Sequence, residues 1–123
     1  MKLFVTRDRD VGKIEVSNLP IEDVLFLQHD KKYVSVHTME QEFFVPGSLS
    51  HYEEALQAAG YDFRMVDRNI LVNVPKIKLL DTIFSKAYFE SEISDKSKSI
   101  TLAQVHFQAL KSEFKMVHGI AFV

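Results

Sequence analysis

The sequence predicts a mainly β domain carrying two short helices, and three observations predict it. Short runs with apolar and polar residues at period two recur from the N-terminus to beyond the middle of the chain. Only two segments switch to helical spacing, and polar or Gly/Pro clusters separate the runs. The sum is roughly eight to ten short strands, an all-β or β-rich α+β pattern rather than a parallel α/β one. A chain of 123 residues is expected to form a single domain over residues 1–123, with no internal repeat and no linker.

The elements follow in order. "MKLFVT" and "GKIEVS" alternate as two half-buried strands around the charged turn "RDRDVG", and Asn18 and Pro20 then break the chain. "IEDVLFLQ" supplies Val24, Leu25, Phe26 and Leu27 as a core strand bounded by the polar cluster "QHDKK". "YVSVHT" and "QEFFVP" form a hairpin across "MEQ" without an Asn-Gly turn. In "PGSLSHYEEALQAAGYDF", Ser48 or Ser50 caps a helix whose face holds Leu49, Tyr52, Leu56 and Ala59, and Gly60 stops it.

The stretch "FRMVDRNILVNVPKI" is apolar enough to be a buried strand, yet Asp67, Arg68 and Asn69 interrupt it with consecutive polar side chains. "LLDTIFSKAYFE" has strand propensity with a turn near Ser85, and "SEISDKSKSI" is polar enough for a loop or a hairpin tip. From Ala103, "AQVHFQALKSEFKMV" sets Val105, Ala109, Leu110 and Phe114 at helical spacing. The apolar tail "HGIAFV" either adds a final strand or packs on a partner.

Composition excludes several classes of function. Hydrophobic residues at 46% against 26% charged residues, with ten Phe, can bury a core and rule out compositional disorder. No apolar run reaches the roughly 18–20 residues of a membrane span, and "MKLFVTRDRD" places charges where a signal peptide needs apolar residues. The absence of Cys fits a reducing compartment and removes disulfides, thiol nucleophiles and Cys-based zinc sites. These features predict a cytoplasmic protein without membrane association. A net charge of −2 gives no global electrostatic footprint for nucleic acid, so a nucleic-acid reader here would need a local basic surface.

Catalytic motifs are equally sparse. Gly12, Gly47, Gly60 and Gly119 stand apart from one another, so no phosphate-cradling loop exists and no nucleotide cofactor is predicted. His29, His37, His51, His106 and His118 include no H-E-x-x-H pair, and no metal is predicted. Glu53 and Glu54 are better explained by a helix dipole than by acid–base chemistry, and Glu90 and Glu92 by the wet face of a strand. The sequence therefore predicts no enzyme; a small ligand-binding or metabolic β domain would require a pocket gathering His37, Tyr33 and acidic residues.

The order of these signals resembles the LytTR family, the DNA-binding output domain of LytR/AlgR-type bacterial response regulators. "VLFLQ", a basic loop, "KYVSVHT", "SLSHYEEAL" and "F-R-M-V-D-R-N-I-L-V-N" with "KI" soon after follow the family order over about residues 13–115. Phe63, Arg68, Ile70, Val72, Asn73 and Ile77 fall at positions of the central family motif, and Tyr33, Val34, Val36 and Thr38 at those of the hairpin. The resemblance implies an elongated, layered β-sheet domain of about ten strands. It also implies loops, not a recognition helix, that enter successive major grooves of promoter direct repeats. Double-stranded DNA is then the implied partner, with a homodimer on DNA or a related regulator as further partners.

Carried over residue by residue, the resemblance implies three DNA-facing surfaces. The first is the loop before Tyr33 with His29, Lys31 and Lys32, where cations meet phosphate. The second is Arg68 with Asn69, suited to guanine O6/N7 and adenine N6/N7 respectively. The third is "SKSITLAQVHF" with Lys98 and Gln104, where the family usually has Ser-Arg and this chain has Ala103 and Gln104. Asp67 stands in place of the usual His, and Gln28 in place of the usual Glu. Each residue also has a plain reading: solvated lysines, an Asp67–Arg68 surface pair, an exposed Gln104, and an Asn73 that satisfies backbone groups. The departures at Asp67 and Gln104 favour the alternative function, a LytTR-like interaction module with weakened DNA binding that modulates a related regulator.

Overall fold

A computed structural model describes residues 2–6, 17–114 and 121–122. The chain divides into two compact units, residues 1–74 and 75–123. Among the described residues, eleven short strands form a two-, a five- and a four-stranded sheet, with two helices.

In the first unit, β1 (Lys2–Val5) pairs antiparallel with β2 (Ser17–Pro20), setting Leu3 opposite Leu19. The segment at Asn18 and Pro20 is therefore a strand and not the predicted break. Proline is compatible because it closes an edge strand. Of the predicted strand "GKIEVS", Gly12–Val16 lie outside the described residues. Thr6 extends β1 by exchanging backbone hydrogen bonds of 2.9 and 2.7 Å with Phe44.

The five-stranded sheet runs in the order β5 (Glu42–Val45), β4 (Tyr33–His37), β3 (Phe26–Asp30), β7 (Ile70–Asn73), β6 (Phe63–Asp67), all antiparallel. Successive strand residues face opposite sides, so Leu27, Val34, Val36, Phe43, Val45, Phe63 and Leu71 share one core. Helix α1 (Leu49–Ala58) and the β1–β2 pair cover that core with Leu49, Leu56, Leu3, Val5 and Leu19. Leu56 is fully buried, which makes it worth about 1.5–3 kcal/mol in transfer free energy.

Local signals explain the helix. Ser48, one of the two candidate caps, accepts the His51 N–H on Oγ at 3.2 Å. Gly60 follows the last turn at φ +92°, a left-handed conformation that glycine adopts without a Cβ clash. Tyr52 is half-buried and its hydroxyl donates to the Pro46 carbonyl, while Ala59, predicted on the buried face, is exposed beyond the helix end. Burial raises the Tyr52 pKa above its ordinary value.

In the second unit, β8 (Leu79–Asp81), β9 (Lys86–Tyr88) and β10 (Ser99–Thr101) form an antiparallel meander. Strand β11 (Ala121–Phe122) lies parallel to β8, so the apolar tail does add a strand. The polar stretch between β9 and β10 is a loop. There Ser97 Oγ donates to Glu90 at 2.7 Å, and neither Glu90 nor Glu92 sits on a strand as predicted. Helix α2 (Gln104–Phe114) buries Phe107, Leu110 and Phe114. Val105 and Ala109, predicted for that face, are exposed, because the i, i+3, i+7 stripe starts from Phe107. Among the described residues, no helix is long and apolar enough to cross a membrane.

Candidate nucleic-acid interface

Two hairpin turns meet at one end of the five-stranded sheet. In the first, Asp30 pairs with Tyr33 and leaves Lys31–Lys32 as a two-residue turn. Strand β3 therefore runs through Gln28, His29 and Asp30, beyond the predicted boundary. His29 belongs to that strand opposite Val34, not to the loop, because the backbone ladder continues whatever the side-chain polarity. Lys31 holds φ +53°, a left-handed conformation that costs a residue with a Cβ about 1–2 kcal/mol.

In the second turn, Asp67 pairs with Ile70 across Arg68–Asn69. The ladder slips between Met65 and Asp67, so Val66 is the extra residue of a bulge. A continuous apolar run thus becomes two strands. The Asp67 carboxylate accepts the Arg68 N–H at 2.6 Å and so fixes the turn, instead of pairing with the guanidinium as a surface ion pair.

The turns are neighbours because β3 and β7 are. The His29 N–H donates to the Asn69 carbonyl at 2.9 Å, one step past the Gln28–Ile70 pair. This brings His29, Lys31, Lys32, Arg68 and Asn69 to one edge, with all five exposed. Among the described residues, the side chains of Lys31, Lys32 and Arg68 have no ion-pair partner, whereas Arg64 is held by Asp62 at 2.8 Å. The edge therefore presents three cationic side chains together with the Asn69 amide and the His29 ring.

The LytTr DNA-binding domain family matches residues 15–115. The chain belongs to this family. A similar solved structure is the LytTr DNA-binding domain of a methyl-accepting/DNA response regulator from Bacillus cereus. It superposes with a TM-score of 0.64 at 18% identity, covering 91% of this chain and 95% of that one. No curated protein sequence matches the chain. The family and the superposition agree with the mainly β architecture described above.

The remaining nominated residues of this LytTr domain lie in the second unit. Lys98 is half-buried and engaged, one residue ahead of β10. Gln104 opens α2, exposed, and its Oε1 accepts a hydrogen bond from Ser85 Oγ at 3.0 Å. Charge is unevenly distributed between the units: eight basic against twelve acidic residues in 1–74, and seven against five in 75–123.

Other predicted roles resolve into structure. Asn73 is buried and its Nδ2 donates to the Val24 carbonyl at 2.8 Å, a backbone-satisfying role. His37 does approach an acid, with Nε2 3.3 Å from Glu42 and 3.1 Å from Ser35 Oγ. Both contacts fall on the same ring nitrogen, whereas a Ser-His-acid relay uses the two opposite ones. The His37 ring stacks on Phe26 at 4.3 Å, and Tyr33 packs edge-on against Phe44 at 5.1 Å. Among the described residues, no group of acidic or His side chains is arranged to hold a metal ion.

Two features escaped the sequence reading. Asp30 flanks the lysine turn and lies 3.5 Å from the Tyr33 hydroxyl. Ile83 and Phe84, adjacent apolar residues inside a turn, are 76% and 66% exposed. The second was signalled in "DTIFSK", where Asp81 precedes a turn that cannot bury what it carries.

Proposed function

We propose that this chain is a sequence-specific DNA-binding transcriptional regulator that sets the Lys31–Lys32 and Arg68–Asn69 turns into the major groove of promoter repeats. The observation that carries the reading is the 2.9 Å bond from His29 N–H to the Asn69 carbonyl, which makes two separate sequence segments a single polar edge. A two-stranded β ribbon fits a major groove about 12 Å wide. Lysines there neutralise phosphates, while Arg68 suits guanine and Asn69 adenine. Lys98 and Gln104 supply further contacts from the second unit, and a cytoplasmic homodimer would read the two repeats.

A second reading has its own support. Asp30 and Asp67 bracket the two turns, and the first unit carries more acid than base. Acids beside phosphates oppose binding, which suits an interaction module that modulates a related regulator. Selection of bound duplexes from a random DNA library at two salt concentrations separates the two. A repeated motif whose retention falls with salt supports the regulator; no enrichment at low salt supports the module.

A further inference from the structure

The β8–β9 turn is built to hold apolar side chains in water. Asp81 Oδ1 accepts the N–H groups of Ile83 at 2.9 Å and Phe84 at 3.1 Å, closing the turn from one side. Ser85 closes the other side at φ +54°, its carbonyl accepting the Leu102 N–H at 2.9 Å. The Ser85 hydroxyl then bonds Gln104 at 3.0 Å. Ile83 and Phe84 are thus held exposed at the tip of a turn tied to the start of α2, where Val105 is also 73% exposed.

Exposing such a pair opposes the hydrophobic effect, and a turn normally carries polar residues. A protein interface of ordinary size buries about 800 Å² per partner, far more than two side chains at a turn present. A narrow hairpin, with strands about 4.8 Å apart, instead suits a groove. The apolar group that DNA displays in the major groove is the thymine 5-methyl. The second unit also carries the basic surplus, and the tip is bonded to the residue already nominated for base contact.

We propose that Ile83 and Phe84 are specificity-determining residues that pack on thymine 5-methyl groups in the major groove beside Gln104. This rests on the DNA-binding reading above. The pair would select thymine without a hydrogen bond, and the Ser85–Gln104 bond would keep the apolar and polar contacts in fixed relation.

Replacing thymine by uracil removes the methyl and leaves base pairing unchanged. On a duplex recovered by selection, each thymine is replaced in turn and affinity is measured for wild type and for the I83A/F84A variant. Wild type should lose roughly three- to fivefold at one or two thymines per repeat, and the variant should bind thymine and uracil duplexes alike. Equal wild-type affinity for all thymine and uracil duplexes overturns this inference alone. Failure to recover any bound duplex overturns it together with the DNA-binding reading. Concentration-dependent self-association of the free protein that the variant abolishes would assign the tip to a protein contact and overturn it as well.

Discussion

The backbone N–H of His29 donates to the carbonyl of Asn69 at 2.9 Å across a gap of forty positions in the chain. Through this bond the basic turn between β3 and β4 and the polar turn between β6 and β7 share one edge. Binding and stability should therefore respond differently to substitution there, since the turn side chains are exposed while the backbone bonds hold the sheet.

Arg68→Ala should cost about 1–3 kcal/mol of specific DNA binding and relax preference at one base position. Its effect on folding should stay within about 0.5 kcal/mol, because the exposed guanidinium has no ion-pair partner among the described residues. Titrations on the selected site and on single-base variants, alongside chemical denaturation, check both halves. Unchanged preference at every position would remove Arg68 from the interface.

Lys31→Gly separates strain from charge. Glycine accepts the left-handed backbone at φ +53°, so the variant should be about 1 kcal/mol more stable. It also loses a phosphate-contacting cation, so binding to all sequences should weaken and the salt slope should fall by about one. Thermal melting and salt-dependent binding should move in opposite directions; a loss of stability would contradict the strain.

Asp67→Asn keeps an oxygen to accept the Arg68 N–H while removing the negative charge beside the turn. Stability should change by less than about 1 kcal/mol, and DNA should bind more tightly by a similar amount at low salt. The gain should shrink as salt rises. Weaker binding at every salt concentration would mean that the charge, and not only the acceptor, is needed there.

Tyr52 should make stability fall at alkaline pH. Burial raises its pKa, so the folded state holds the phenol proton more tightly than the unfolded chain. Its contribution is fully present below the unfolded value near 10.0 and is lost as pH rises through the higher folded value. Tyr52→Phe should flatten the stability profile between the unfolded and the raised folded value, at the cost of the hydrogen bond to the Pro46 carbonyl. Denaturation from neutral to strongly alkaline pH checks it, and an unchanged slope would assign the alkaline loss to other groups.

The mainly β class, the helix stopped by Gly60, the β4–β5 hairpin and the family resemblance were legible in the sequence. These are local properties: alternation, capping chemistry and motif order act within a few residues of themselves. It misplaced the ends of β3 because polar side chains at Gln28 to Asp30 looked like a boundary, whereas ladder bonds involve only the backbone. It read the α2 face from Val105 because spacing alone does not say which stripe another layer covers. The partnership of β3 and β7 emerges only on folding, since their pairing joins residues far apart in the chain. That pairing makes neighbours of Lys31–Lys32 and Arg68–Asn69, and the fixed β8–β9 turn keeps Ile83 and Phe84 in water.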